Sequence, residues 1–506
     1  MLHKFPILRS KPVAAVCVAG ALLALLPGCT EKFLDEKPRD SVTTENFYRT
    51  EADAIQAVTA AYSELGKAGQ YNKALWGIGD IMSDNSTTGG AGGSDGAYAQ
   101  EVDNFNLTSS NDLITRLWGG CYVGIGRANL VLERVPGINM SAAIKQRSLG
   151  EAQFLRAKYY FDLVRCYGDV PLITSPPKVP GDALIPRTPA AQVYAQIETD
   201  LRAAITNLPG TYSGADLGRA TKWAATKVLL TEKKLPEAAD AARDVIDHSG
   251  LRLWANYGDN FKVANENGQE SLFEVQYIGL HNEFVFDGLG SVMNTFFAPR
   301  FQDLVPERGY GFNVPEPNFV NGYEPGDRRR AVTIWTPGDA YPTGSSAKAQ
   351  PANLVGSPNG YNVKKWFVGR VNTRVWDSEL NFPVLRLAEM YLIAAEGLGF
   401  PAGLAYVNTV RRRAFGDDLS VPATTPQPHD LNPNNTTANS FADAVLRERR
   451  YELAFEDDRW FDLKRTDHLV NNPHLISKGI KPFHVLLPVP LSERDANPAL
   501  TQNDGY

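Results

Sequence analysis

The chain has 506 residues, 43% hydrophobic and 21% charged, with a formal net charge of −6, the proportions of a folded protein longer than a minimal single module. Its acidic balance argues against binding the phosphate backbone of nucleic acid. Four cysteines without a CxxC spacing exclude a disulfide scaffold and a metal knuckle.

The first element is a targeting segment. His3, Lys4, Arg9 and Lys11 precede an apolar stretch from Val13 to Leu26, and Pro27-Gly28-Cys29 follows. A basic start, an apolar middle and small residues at a cut site are the order of a secretory signal. The stretch is shorter than the about 20 residues a spanning helix needs. Leu26-Pro27-Gly28-Cys29 resembles the bacterial lipoprotein lipobox, with Pro27 a departure. Residues 1–28 are therefore expected to be removed and Cys29 to carry lipid; an ordinary signal peptide containing a cysteine is the alternative. Several acyl chains, at about 0.8 kcal/mol per buried CH2, would hold the protein on a membrane. Cleavage also removes three positive charges, taking the net charge from −6 to −9. Of the remaining cysteines, Cys121 and Cys166 either pair, as export permits, or stay as buried thiols. The second reading is favoured by the aromatic helical pattern around Cys166 (Tyr159, Tyr160, Phe161, Tyr167).

Residues 29–43 form the lipidated cysteine and a polar spacer, and a single domain is expected over 44–506. From Thr44 the pattern is helical. Thr50 with Glu51 and Asp53 marks a helix start, and Ala54, Ile55, Val58, Ala61, Tyr62 and Leu65 make a stripe at helical spacing. Further helices are expected around Trp118–Leu132, around Phe154–Val164 and around Val193–Ile205. A helix pair follows, Trp223–Leu230 and then one opened by Pro236, where a missing N–H costs nothing in the first turn. A comparable pair recurs at Leu385–Glu396 and Leu404–Ala414. Such hairpins must bury their outer sides on neighbours, and the pattern is similar to degenerate tetratricopeptide repeats. The fold class is mostly α: a TPR-like helical hairpin scaffold over 44–270 and 383–506, with a large loop-rich, partly β insert over 271–382. Two stretches break the helical grammar. Residues 84–106 are rich in Gly, Ser, Thr and Asp; residues 271–382 are rich in Gly, Pro and aromatics, with strand-like alternation at Leu272–Tyr277 and Asn362–Phe367. An insert this long is disordered or functional, and its aromatic content argues for order.

The mature chain resembles the SusD/RagB family of nutrient-binding outer-membrane lipoproteins of Bacteroidota nearly end to end. The carrying motifs are Cys29-Thr30-Glu31-Lys32-Phe33-Leu34-Asp35, Trp118-x3-Tyr122-x2-Ile125-x3-Asn129, Arg156-Ala157-x-Tyr159-Tyr160 and Tyr167-Gly168-Asp169-Val170-Pro171-Leu172. They continue with Arg386-Leu387-Ala388-Glu389-x-Tyr391, Asn408-x2-Arg411-x-Arg413-Ala414, Glu448-Arg449-Arg450-x-Glu452 through Arg459-Trp460-Phe461-Asp462, and Asn497-Pro498-x-Leu500-x-Gln502-Asn503-x-Gly505-Tyr506. The resemblance implies a SusD-like fold anchored in the outer membrane and exposed on the cell surface. It also implies that the protein binds oligosaccharide or, in some members, peptide, hands it to a TonB-dependent SusC-like transporter, and performs no chemistry. A lipid-anchored glycosidase and a purely structural transporter subunit are the rival classes.

A pyranose has an apolar C–H face that stacks on an aromatic ring, and hydroxyls that need polar side chains at the edge. The first loop offers Trp76, Asp84, Asn85 and Tyr98; the central insert offers Tyr310, Phe312, Tyr323, Trp335 and Trp366. Asp84-x-Ser86-x-Thr88-Gly89, with Asp95 at the twelfth place, echoes an EF-hand loop but has too few carboxylates, so no metal and no cofactor is expected. The charges of Glu448–Arg465 alternate at helical spacing and read as structural ion pairs, while Arg411–Arg413 and Arg328–Arg330 read as solvated faces or local salt bridges. No HExxH, Gly-x-Ser-x-Gly or P-loop occurs, so no enzyme is expected; paired carboxylates for glycoside hydrolysis have no sequence spacing to read.

Overall fold

A computed structural model describes residues 47–506 apart from 92, 217, 222–225, 280, 282–284, 343–344, 371–375 and 423–424. The expected signal segment and Cys29 lie outside the described residues. Ten helices are named here: α1 (Glu51–Ser63), α2 (Gly93–Asp103), α3 (Asp112–Arg134), α4 (Ala142–Tyr167), α5 (Ala190–Asn207), α6 (Leu235–His248), α7 (Leu387–Leu398), α8 (Leu404–Phe415), α9 (Ala438–Glu452) and α10 (Arg459–Arg465). The strands are short: β1 (Ser86–Gly89), β2 (Ser271–Val275), β3 (Phe312–Pro315), β4 (Ile334–Trp335), β5 (Asn362–Val363) and β6 (Phe382–Arg386).

α1 starts where its sequence says. The Thr50 hydroxyl accepts the Asp53 N–H at 3.2 Å, and the Asp53 carboxylate accepts the Thr50 N–H at 2.8 Å, a reciprocal cap that satisfies two otherwise orphaned donors. At α3 the Asn111 side chain accepts from the N–H groups of Leu113 and Ile114. α4 packs between α3 and α5, and one guanidinium ties the three together. Arg156 donates bidentately to Asp200 at 2.8 and 2.7 Å and to the Asn129 side chain at 2.8 Å. α6 packs on α7 although about 140 residues separate them, so the insert leaves and re-enters one scaffold. Their approach needs Gly397, where a Cβ would stand 2.8 Å from that of Ala239. α7, α8 and α9 share an apolar core of Ala388, Leu392, Val407, Val410, Phe441 and Val445. Cys121 and Cys166 are both buried free thiols, and burial raises the Cys166 thiol to about 12, which keeps it unreactive.

Each sheet has two antiparallel strands. β2 and β6 pair, with Val275 opposite Phe382, and so join the two ends of the 271–382 excursion. β1 pairs with β3, with Gly89 opposite Phe312, which lays the first loop on the insert.

The two arginine runs differ: Arg328–Arg330 keeps two exposed side chains and a local bridge from Arg329 to Asp327 at 2.7 Å, as expected, whereas Arg411–Arg413 is not solvated. Arg411, Arg412, Arg413 and Arg329 are buried and reach across the fold; Arg328 and Arg330 are exposed. Arg413 meets Glu452 at 2.6 Å and Glu270 at 3.2 Å; Arg386 meets Glu452 and Glu270 at 2.9 Å. Arg329 bonds Glu448 at 2.6 Å, and Arg449 bonds Glu389 and Asp462. Most of these partners lie far apart in sequence, because a guanidinium buried in the core takes whatever carboxylate the tertiary fold supplies. Burial alone would raise the Glu452 carboxyl, yet Arg413, Arg386 and Arg329 hold it well below the usual range.

Candidate ligand-binding site

Where the first loop meets the insert lie four half-buried rings: Phe286 and Tyr310, each in contact with Trp376, and Tyr98 on α2, joined to Phe286 through Lys73. Phe296 lies beneath Phe286, Tyr310 and Trp376. It stacks on Tyr310 (4.8 Å between centroids, 11° between planes) and meets Trp376 edge-on at 5.0 Å and Phe286 at 4.8 Å. The next layer down is fully buried Phe312, 5.7 Å from Phe296, and Trp76, 6.3 Å from Phe312. A stack of rings this deep fixes the outermost ones without requiring loop flexibility.

Each half-buried ring is held by its backbone. The side chain of buried Asn72 donates to the carbonyls of Phe286 (2.9 Å) and Gly290 (3.0 Å) and accepts the Val292 N–H at 2.9 Å. Tyr310 donates its N–H to the Thr295 carbonyl at 3.0 Å, and its own carbonyl accepts from Arg300 at 2.8 Å. The Trp376 segment is joined to the insert by reciprocal Ser291–Ser378 backbone bonds of 2.8 Å. Asn111 donates to the Tyr98 carbonyl at 2.9 Å. Gly90, at φ +64°, and Gly96 lie against Phe312, whose ring would stand 2.9 and 2.8 Å from a Cβ at either position; the glycines of the first loop let backbone lie flat on that ring.

Charges border the rings. The Lys73 ammonium sits 4.0 Å from the Tyr98 centroid and 4.8 Å from that of Phe286, a cation–π arrangement, and pairs with Asp112 at 2.8 Å. Burial lowers the Lys73 ammonium, opposed by Asp112. Burial would raise Asp112, but Lys73 and Arg116 bring it below its usual value. Arg300 bonds Asp95 at 2.7 Å.

Of the nine side chains expected from sequence, Tyr98 and Tyr310 are half-buried, Tyr310 within the ring cluster and Tyr98 joined to Phe286 through the Lys73 ammonium. Phe312 and Trp76 are beneath the cluster and closed to solvent. Trp335 is also interior, packed with Ala298, Leu304, Val305 and Tyr341. Trp366 stacks on Phe382 at 4.9 Å and donates its indole N–H to the Phe455 carbonyl at 3.1 Å. Tyr323 is buried against Tyr451 and lines a polar groove with Glu324, Asp327 and Arg330 that shares no lining residue with the ring cluster. Phe312, Tyr323, Trp335 and Trp366 are core because the insert has to build its own interior, and large rings are its main apolar material; Trp76 is the scaffold ring on which Phe312 rests. Asp84 and Asn85 are buried and bonded to Arg459 and Arg450, so Asp84 is committed to a guanidinium rather than to a metal ion. Among the described residues no group of three His, Cys, Asp or Glu side chains is arranged to hold a metal.

Phe286, Trp376, Lys73 and Asn72 escape the sequence reading. Trp376 had a signal: it follows Arg370-Val371-Asn372-Thr373-Arg374-Val375, a polar run without the apolar period that would bury it.

Two family models match the chain. One, described as the SusD family, matches residues 255–506; the other, described as starch-binding and associating with the outer membrane, matches residues 32–230. The chain belongs to the SusD/RagB family. Its relatives include SusD-like protein P25 of Formosa agariphila, 27% identical over 94% of this chain and 95% of that one. A solved laminarin-binding SusD-like protein is 28% identical, with TM-score 0.75 over 91% of this chain and 100% of its own. Surface glycan-binding protein A from Bacteroides uniformis is 25% identical, with TM-score 0.73 over 90% and 99%. This SusD/RagB chain therefore shares the helical scaffold and loop-rich insert of its solved relatives, and among its described residues no helix is long and apolar enough to cross a membrane.

Proposed function

We propose that this chain captures oligosaccharide at the bacterial cell surface, held to the outer membrane by lipid on Cys29, and passes it to a TonB-dependent SusC-like transporter. The observation that carries the reading is the half-buried layer of Tyr98, Phe286, Tyr310 and Trp376 at the junction of the first loop and the insert. Flat rings suit the C–H face of a pyranose, and Lys73, Asp95, Asp112 and Arg300 at the border suit its hydroxyls. The description of the model matching residues 32–230 supports the outer-membrane placement, and the laminarin-binding relative supports glucan as the first ligand to try.

Binding proceeds without chemistry. The bordering carboxylates of Asp95 and Asp112 are engaged by Arg300, Lys73 and Arg116, whereas glycoside hydrolysis needs a protonated acid opposite a free carboxylate. Affinity is modest, because cargo has to be released to the barrel; dissociation constants from micromolar to millimolar, about −8 to −4 kcal/mol, are expected. Titration calorimetry of the purified chain with laminarin, other glycans and peptides tests the reading. Saccharide binding without release of reducing ends is the expected result, and binding of peptide with no saccharide overturns it.

A further inference from the structure

Among the described residues Phe301 is the one aromatic that is exposed, at 58% of its surface. Its backbone is also unusual. Phe301 adopts φ +59°, the left-handed region that glycine or asparagine enters cheaply and a bulky side chain does not. Phe105 and Phe455 share that conformation, but their rings are buried in the core. At Phe301 no such burial offsets the strain.

The surroundings hold this crest in place from both sides. Gln302 donates its N–H to the Pro299 carbonyl at 3.2 Å, closing the turn. On one flank Arg300 bonds Asp95 of the first loop at 2.7 Å and the Tyr310 carbonyl at 2.8 Å. On the other, Asp303 pairs with Arg370. The guanidinium of Arg300 lies 4.7 Å from the Phe301 ring centroid, so one side chain contacts the Phe301 ring and the backbone of Tyr310. A strained, tethered backbone that presents an uncovered ring is the arrangement expected where strain serves a ligand, and here it adjoins the ring cluster.

Resting on the oligosaccharide reading above, we propose that Phe301 is an outlying stacking platform that makes the site select extended oligosaccharides over disaccharides. The inner rings would hold one part of the chain, and Phe301 a sugar further along it. A disaccharide seated on the inner rings alone would gain nothing from it.

Titration of the purified chain and of Phe301→Ala and Phe301→Trp with laminaribiose and laminarihexaose tests this. The expected result is a loss of about tenfold in hexasaccharide affinity for Phe301→Ala, less than about twofold for the disaccharide, and retention of hexasaccharide affinity in Phe301→Trp. Equal effects on both sugars, or none on either, overturn the proposal while leaving the oligosaccharide reading standing. If the unmodified chain binds no saccharide at all, the reading itself fails and the proposal falls with it. A Phe301→Ala change that alters only association with a barrel transporter assigns the ring to a protein partner and overturns the proposal.

Discussion

The indole N–H of Trp376 donates to the hydroxyl of Tyr310 at 3.2 Å, joining two rings that stand at 88° with centroids 5.9 Å apart. One residue comes from the turn after Phe301 and the other from near the end of the insert, so the bond fixes the angle between two candidate sugar platforms before any ligand arrives. Such preorganisation reduces the ordering cost of binding.

Trp376→Ala removes one platform and the donor to Tyr310. Affinity for a saccharide ligand is expected to fall at least about tenfold, equivalent to about 1.4 kcal/mol, while the thermal midpoint moves little because the ring is half-buried. Tyr310→Phe keeps the stack and loses only the hydroxyl, and a loss of about two- to twelvefold is expected, in line with a single neutral hydrogen bond of about 0.5–1.5 kcal/mol. Calorimetric titration beside a melting curve separates the two effects.

Trp366→Ala behaves in the opposite way. That ring is interior, stacked on Phe382, so its removal should cost about 3–5 kcal/mol of stability and leave the affinity of the folded fraction unchanged. Urea unfolding gives the first number. An unchanged midpoint would show that the ring is not core.

The contrast between Trp366 and Trp376 marks the limit of what sequence conveys. Helix pairs were legible because their spacing is local: α6 runs Leu235–His248 and α7 and α8 run Leu387–Leu398 and Leu404–Phe415, close to the expected bounds. The Thr50–Asp53 cap was legible for the same reason. Which rings face solvent was not. Trp335, Trp366 and Phe312 stand in the same kind of segment as Tyr310, and only tertiary contacts decide which are covered: β1 and Phe296 over Phe312, Leu304 and Val305 around Trp335, and Phe382 against Trp366. The Arg411–Arg413 run was misread for an allied reason, since Arg412 finds its partner in Asp430 and Arg413 in Glu270, contacts with no helical spacing, whereas Arg329 takes the neighbouring Asp327 that its sequence offered.

Asp84 governs acid stability at the base of the first loop. Arg459 donates to both its oxygens, at 2.7 and 3.0 Å, and Asn472 adds a third bond at 3.0 Å. Burial would raise the carboxyl, but Arg459, Arg450 and Asn472 hold it well below the usual range. A depressed folded-state pKa contributes stability above the unfolded value of about 3.9 that is lost as pH falls below it. Asp84→Asn should therefore lower stability at pH 7 by about 3–5 kcal/mol, leaving Arg459 buried without its counter-charge. Its urea midpoint should also decline less steeply below pH 4 than that of the parent. An equal decline would remove Asp84 from the account.

Asp80 acts with the opposite sign. Burial is the largest cause of its rise to about 7, against the bond from Asn313 and the charge of Lys365. A raised carboxyl binds its proton more tightly folded than unfolded, so its contribution is complete below about pH 4 and lost as pH climbs through 7. Each such group lowers stability by up to about 1.4 kcal/mol per pH unit across that window. Asp80→Asn should flatten the fall of the urea midpoint between pH 5 and 8, with Glu151 and Glu266, also raised to about 7 mainly by burial, retaining their shares. A slope identical to that of the parent would count against the assignment.

The most direct test is a crystal structure of the chain with laminarihexaose. Sugar rings lying on Tyr310 and Trp376, with carbon atoms within about 4.5 Å of the aromatic faces and the chain continuing toward Phe301, are the predicted result. Saccharide seated instead in the polar groove beside Tyr323, with the Tyr98–Phe286–Tyr310–Trp376 layer bare, would contradict it.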